Sequence, residues 1–201
     1  MRNRGKATWM IGATAALSLV TFAASSAKDV ILITPVSVSA SSFNWSDRRD
    51  PNTSDPPQRM IDGSGLTGTG RTAVHSCVYY SRTWWYSQGG SRVASQWVEF
   101  DLGAAYTISN ALVWQMAASG GLRTRGVREF TIKVAGPEKV FSTLSTGNVL
   151  NQATCPDEEP VQVVPLAATN VRYVRFEIQS NWGAPNIVGL SEVRFEGFLA
   201  R

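Results

Sequence analysis

Hydrophobic and polar residues alternate in twos along several segments of this chain, and no convincing helical period appears after residue 27. In QWVEFDLG, VREFTIKVAG and NVRYVRFEIQS, one set of alternate positions is apolar and the other is mostly polar or charged. The apolar positions are Val98, Phe100, Leu102, Phe130, Ile132, Val134, Val174, Phe176 and Ile178. Alternation of this kind, rich in β-branched and aromatic residues, predicts half-buried antiparallel strands. Loops rich in glycine, serine, asparagine and proline separate the strands, so we predict an all-β chain, an antiparallel β-sandwich or jelly roll.

The first 27 residues have a different composition. Three basic residues precede the apolar run TWMIGATAALSLVTFAA, and the small residues SSA follow it. This order is typical of a secretory signal peptide. A membrane anchor is the alternative, but Gly12 and several small polar residues interrupt the run, which is shorter than the roughly 20 strongly apolar residues of a spanning helix. We therefore expect cleavage after Ala27, one domain over residues 28–201, and a secreted, periplasmic or cell-surface location.

The charge of the chain argues against two classes of partner. The full sequence has 19 Lys+Arg and 15 Asp+Glu, a formal net charge of +4, and three of the basic residues lie in the predicted signal peptide. The remaining arginines are scattered, whereas nucleic-acid binding needs clustered lysine and arginine. We expect no nucleic-acid partner. Membrane insertion is not expected either, because the mature domain is close to neutral.

Cys77 and Cys155 are the only cysteines in the sequence. In an oxidising compartment an even pair favours a disulfide, and two free buried thiols are the alternative. Both cysteines lie in turn-rich segments, where a buried thiol would have few apolar neighbours. We therefore predict a Cys77–Cys155 bridge.

Three phrases occur in a fixed order along the chain: MIDGSGLTG at 60–68, QWVEFDLG at 96–103 and SNWGAPNIVGLSEVRFEG at 180–197. Together with RGVREFTIKVAG and VRYVRFEI, they resemble the discoidin, or coagulation-factor C-type, domain. That superfamily is a galactose-binding-like jelly roll that includes family-32 carbohydrate-binding modules. The resemblance extends from about residue 36 to residue 197 and implies the same sandwich here. It constrains function less, because this fold hosts binders of sugars, lipids and proteins.

The resemblance also implies a structural calcium ion between the Asp-Gly loop and the last strand. Asp62 would supply a loop carboxylate, and Glu192 a second carboxylate from the strand. Ser64 and Thr67 would supply carbonyl or hydroxyl oxygens, since calcium takes six to eight oxygen ligands. The alternatives are an ordinary Asp-Gly turn at Asp62 and a solvated strand position at Glu192.

The segment HSCVYYSRTWWYSQGG, residues 75–90, combines five aromatic residues with an arginine and the only histidine. Aromatic rings stack on the apolar face of a sugar while polar groups fix its hydroxyls, so this composition predicts carbohydrate binding. Trp84, or else Tyr79 or Tyr80, is the predicted stacking ring, and Trp85 is predicted to lie in the core. The residues predicted to contact the ligand are His75, Tyr80, Arg82, Trp84, Gln115, Asn181 and Trp182.

Catalysis is not expected from this sequence. His75 is the single histidine, no G-x-S-x-G motif occurs, and the acidic run CPDEEP is typical of a solvated turn. The sequence thus predicts an exported, non-catalytic carbohydrate-binding module with calcium as its cofactor and a glycan or cell-surface polysaccharide as its partner. The open alternative is an exported adhesion, protein-interaction or membrane-surface module without sugar specificity, whose partner is another exported protein or a lipid surface.

Overall fold

A computed structural model describes residues 29–45, 54–78 and 81–200. The predicted signal peptide and the candidate ligand residues Tyr79 and Tyr80 lie outside the described residues. Within the described part of the chain, no helix is long and apolar enough to cross a lipid bilayer.

The described residues form short and long β-strands joined by loops and 3₁₀ turns. The strands are β1 (Ile31–Ile33), β2 (Ser37–Ala40), β3 (Asn44–Trp45), β4 (Ser54–Asp55), β5 (Leu66–Thr67), β6 (Val74–Ser76), β7 (Trp85–Tyr86), β8 (Trp97–Trp114), β9 (Val127–Ala135), β10 (Ser142–Val149), β11 (Glu158–Pro160), β12 (Gln162–Asn181), β13 (Gly189–Leu190) and β14 (Glu192–Leu199). The 3₁₀ turns are Pro57–Met60, Gly70–Thr72, Val93–Ser95 and Gly120–Arg125.

Two long strands, β8 and β12, form the backbone of the main sheet, which has the order β1-β14-β8-β12-β9-β10 with β2 also on β8. The first half of β8 pairs with β2 and with the second half of β12. The second half of β12 also pairs with β9, and β9 pairs with β10. The second half of β8 pairs with β14 and with the first half of β12. Each long strand therefore contributes to both layers of an antiparallel β-sandwich, a jelly roll.

The bend between the two layers lies where the pairing of β8 with β12 shifts register. Gly103 in β8 has a φ of 81°, and a Cβ there would lie 2.8 Å from Cγ1 of Val36. Only glycine meets both conditions without strain, because it adopts positive φ freely and has no side chain to clash. In β12, Asn170, next to the Val171 that pairs with Tyr106, has a φ of 56°.

The core fills the space between the layers. Phe100 of β8 packs against Phe176 of β12 and Phe195 of β14, with ring centroids 5.5 and 5.6 Å apart. The nine apolar positions of the alternating segments are all buried, which confirms the predicted strands and their inward faces. Trp85 is buried as predicted. Residues 42–70 and 71–95, whose composition predicts loops, are not wholly irregular, because β3 to β7 form within them.

Candidate functional site

The loops at one end of the sandwich build a groove of about 620 Å³. This end is where β8 and β12 finish and where β9 and β14 begin. One wall is the 3₁₀ turn Gly120–Arg125, and the other is the loop 183–187 after β12. The lining residues are Ser119, Gly120, Gly121, Leu122, Thr124, Arg125, Gly183, Ala184, Pro185, Asn186 and Ile187.

An apolar cluster lies beneath this groove. Trp84, Tyr86, Met116 and Ala118 are buried together, and Leu122 and Ile187, which line the groove, pack against them. Rings of Trp84 and Tyr86 stand 5.9 Å apart at an angle of 59°. The groove therefore has an apolar floor, formed by Leu122 and Ile187 and packed against these rings.

Hydrogen bonds tie the two walls together. The Ala184 amide donates to the Thr124 carbonyl at 3.2 Å, which joins one wall directly to the other. The Asn181 side chain donates to the carbonyls of Ala184 and Ile187 and accepts from the Gly183 amide. One asparagine side chain therefore fixes the whole 183–187 loop.

Arg125 supplies the positive charge of the groove. Its guanidinium carbon lies 5.1 Å from the centre of the Tyr86 ring, within range of a cation–π contact. None of the described residues that line the groove is acidic. A stacked guanidinium still presents N–H donors at its edge, so Arg125 can donate hydrogen bonds to an anionic or hydroxyl group in the groove.

A second, more open groove of about 370 Å³ adjoins the first and shares Ala184 and Pro185 with it. Among the described residues, Arg92 is the single charged one in its lining, and Asn181 also lines it. Nearby in sequence, Trp182 is half-buried, and the Arg128 guanidinium lies 5.0 Å from its ring centre. The exposed surface around the 183–187 loop is thus lined or flanked by three arginines.

The structure corrects the expected position of Trp84. Its ring is 2 % exposed, so it has no open face on which a sugar can stack. The physical reason is the apolar cluster with Tyr86 and Met116, which encloses the ring on the inner side of the groove. Trp84 supports the groove from below instead of forming its surface.

Two predicted polar contacts are also buried within the fold. Gln115 is fully buried: its amide nitrogen donates to the carbonyls of Val127 and Asn151, and its oxygen accepts from the Met116 amide. His75 is fully buried in β6, where a Cβ on Gly65 would lie 2.7 Å from its ring, and this burial lowers its pKa. Both side chains hold loops in place and neither lines a groove.

Of the predicted ligand residues that the structure describes, only Asn181 lines either groove. Arg82 is half-buried and has a φ of 48°, an unusual value for a residue with a side chain. Arg125 and Leu122 line the groove but were not among the predicted ligand residues, because the composition of residues 117–125 predicts only a loop. The two adjacent glycines and the pair of arginines in SGGLRTRG were the available signal.

The predicted disulfide is confirmed. Cys77 and Cys155 are bonded, with their Cα atoms 5.6 Å apart. The amides of Thr154 and Cys155 both donate to the buried Glu159 carboxylate. Arg123 donates to the Thr154 carbonyl at 2.7 Å, so the bridged segment also supports one wall of the groove.

The predicted calcium ligands come together only in part. Glu192 is fully buried at the start of β14, and its Oε2 accepts from the Gly63 amide at 3.2 Å. Asp62 Oδ1 accepts from the Ser64 amide at 2.8 Å, an Asx turn. Thr67 lies in β5 and is exposed, and its pairing partner is Val74.

Burial raises the pKa of Glu192 to about 8, and the positive charge of Arg194 opposes this rise.

The contacts of these residues do not fit a calcium site. All four carboxylate oxygens of Asp62 and Glu192 already face N–H donors or a guanidinium: the amides of Ser64 and Gly63, and the side chains of Arg59 and Arg194. Ser64 Oγ is buried with no hydrogen-bond partner among the described residues. The loop carbonyls of Ile61, Gly63 and Gly65 accept from the Arg194 side chain and from the amides of Leu66 and Ser76, so few uncommitted oxygens remain for an ion that takes six to eight. Calcium binding itself stays a prediction, and the contacts favour another cation.

An antiparallel jelly roll with a loop-built groove at one end is the class of domain that the fold and site define. The model of the F5/8 type C domain matches residues 37–193, and the chain belongs to that family. No curated protein sequence matches the chain.

Solved structures with the same fold include three carbohydrate-binding modules. One is the family-32 module of AlyQ in complex with 4,5-unsaturated mannuronic acid, with 20% identity and a TM-score of 0.54, covering 82% of this chain and 97% of that one. Another is the family-32 module of NanJ from C. perfringens in complex with galactose, with 17% identity and a TM-score of 0.54, covering 83% and 99%. A third, CpGH89CBM32-5 from Clostridium perfringens in complex with GalNAc-β-1,3-galactose, has 14% identity and a TM-score of 0.55, covering 79% and 93%. At these identities the similarity establishes the fold.

Proposed function

We propose that this domain is an exported module that binds a glycan in the groove between residues 119–125 and 183–187, without catalysis. The observation that carries the proposal is the groove itself, which sets the Arg125 guanidinium beside an apolar floor of Leu122 and Ile187. Sugar sites combine an apolar contact surface with a few fixed polar groups in this way. Export would depend on the predicted signal peptide, residues 1–27.

The comparisons support the same function. The modules of AlyQ and NanJ were solved with mannuronic acid and galactose, and they share this chain's jelly roll over nearly their whole length. The charged groups among the lining residues of both grooves are Arg125 and Arg92. Hydrolysis of a glycoside generally needs a pair of carboxyl groups beside the bond, so these linings favour binding without turnover.

The charge of the two grooves favours an acidic glycan. Arg125 lines one groove, Arg92 lines the adjoining one, and the described lining of both lacks acidic side chains. A guanidinium pairs with a carboxylate through two parallel hydrogen bonds, whereas it gives a sugar hydroxyl a weaker contact. We therefore expect oligosaccharides of uronic acids to bind more tightly than neutral oligosaccharides of the same length.

A glycan array that carries matched acidic and neutral oligosaccharides tests this function. The full-length chain is expected to bind uronic-acid glycans, and added salt is expected to weaken that binding because the contacts are exposed. Binding restricted to neutral glycans would contradict the acidic preference alone. A blank array from a folded protein would contradict glycan binding and would favour a protein partner.

Arg125→Ala is expected to weaken glycan binding at least about tenfold, because an arginine at the centre of a site commonly carries more than 1.4 kcal/mol of binding free energy. Arg172→Ala is the matched control, since Arg172 lies in β12 and pairs with Asp101, far from the groove lining. Isothermal titration calorimetry measures both variants, with thermal melting to show that each is folded. Equal affinity of the two variants would exclude Arg125 from the site.

A further inference from the structure

Arg194 occupies the place between the Asp-Gly loop and the last strand where a structural metal was expected. It follows Glu192 by two positions in β14, and residues two apart in a strand point to the same face. Both side chains are buried: Glu192 is 0 % and Arg194 8 % exposed. Charged residues are rarely buried without a partner, so the burial of both side chains on one face indicates that they pair with each other.

The guanidinium of Arg194 bridges the loop and the strand. Its Nη1 donates to the carbonyl oxygen of Ile61 at 2.6 Å, and its Nη2 lies 2.5 Å from Glu192 Oε1. The second contact is an ion pair whose angles fall outside good hydrogen-bond geometry. A structural metal here would need a loop carbonyl and a strand carboxylate as ligands. In this chain the two guanidinium nitrogens contact these oxygens instead, Nη1 the Ile61 carbonyl and Nη2 the Glu192 carboxylate.

The other carboxylate oxygen of Glu192 is also committed. It accepts from the Gly63 amide, so both oxygens of this side chain are held by groups of the protein. A Cβ on Gly63 would lie 3.4 Å from Arg194 Nη2, which shows how closely the loop backbone covers the guanidinium. A divalent ion at this position would meet the positive charge of Arg194 and too few open oxygens.

We infer that Arg194 is the permanent cation of the loop of residues 61–64, a covalently tethered substitute for a structural calcium ion. The loop is then held to β14 by a side chain that cannot dissociate and cannot be chelated. The inference is independent of glycan binding, because none of these residues lines the groove between residues 119–125 and 183–187.

Chelation of the full-length protein is the first test. The melting temperature is expected to be the same, within about 1 °C, in millimolar EDTA and in millimolar calcium chloride, because the cation is part of the chain. Protein purified from calcium-containing buffer is expected to hold no stoichiometric calcium by mass spectrometry. A melting temperature that falls by several degrees in EDTA and recovers with calcium would overturn the inference, as would one calcium ion per chain.

A double-mutant cycle on the pair is the second test. Arg194→Met keeps the aliphatic stem but removes the guanidinium. It is expected to lower the melting temperature by about 10 °C, since it leaves the Ile61 carbonyl and the buried Glu192 carboxyl without the group that contacts both. The double variant Arg194→Met, Glu192→Gln is expected to lose less than the sum of the single variants. The control cycle is Lys133→Met, Glu177→Gln, a half-exposed pair at 2.8 Å for which a coupling well below that of the buried pair is expected.

A melting temperature of Arg194→Met equal to that of the wild type would overturn the inference. If either variant of the pair does not fold, the chelation and metal content of the wild type decide the question.

Discussion

Replacement of both Cys77 and Cys155 by serine is expected to lower the free energy of unfolding by about 4 kcal/mol. The bridge joins residues 78 positions apart, and a loop of that size restricts the unfolded chain by about this amount in the chain-entropy model. For a domain of this length the loss corresponds to a fall of roughly 10 °C in melting temperature. Chemical denaturation followed by tryptophan fluorescence measures the change.

Reduction provides the control for the serine variants. Treatment of the wild type with a reducing agent is expected to reproduce the stability of the double variant, whereas the double variant itself should not respond. A wild-type melting temperature that is unchanged after verified reduction would show that the bridge does not stabilise the fold. Because Arg123 contacts the neighbouring Thr154, reduction is also expected to loosen one wall of the groove.

Phe100→Ala is expected to lower the free energy of unfolding by about 4 kcal/mol, since truncation of a buried phenylalanine removes its transfer free energy and leaves a cavity. Phe100 is fully buried between Phe176 and Phe195 and joins the two layers of the sandwich. Val140→Ala is the control at a position that is 77 % exposed, where a change below about 0.5 kcal/mol is expected. Urea unfolding measures both, and equal effects would contradict the placement of the core.

The strands were predictable because burial on one face imposes a period of two on the sequence. Val98, Phe100 and Leu102 alternate with partly exposed or charged positions, and all three point into the core. What this period does not encode is that β8 and β12 bend and serve both layers. The bend depends on register shifts and on the close approach of Gly103 to Val36, which are properties of the folded pair of strands.

The site was harder to predict because composition does not separate a buried aromatic ring from an exposed one. Trp84 and Tyr86 lie in the most aromatic segment of the chain, yet they form the underside of the groove. The surface of the groove is formed by glycines, Pro185 and Arg125. In the sequence these residues predict only ordinary loops, because the groove forms when the fold brings the two loops together. The disulfide was predictable from the count of cysteines and the predicted compartment.

The pairing of Glu192 with Arg194 was visible in the sequence but its meaning was not. The spacing in SEVRFEG places both side chains on one face of a strand. Which face is buried, and that Ile61 and Gly63 cover it, follows only from the folded loop. The family resemblance predicted a metal ion at this place, whereas the side chain of Arg194 provides a cation there.

The proposed glycan site is the groove between residues 119–125 and 183–187. Amide chemical-shift mapping of the isotope-labelled protein, titrated with the tightest glycan from the array, tests it most directly. The shifts are expected to cluster on those two segments and on Tyr86 below them, and Arg125→Ala is expected to abolish them at the same glycan concentration. Shifts confined to another surface, such as the exposed edge strand β10, would contradict it.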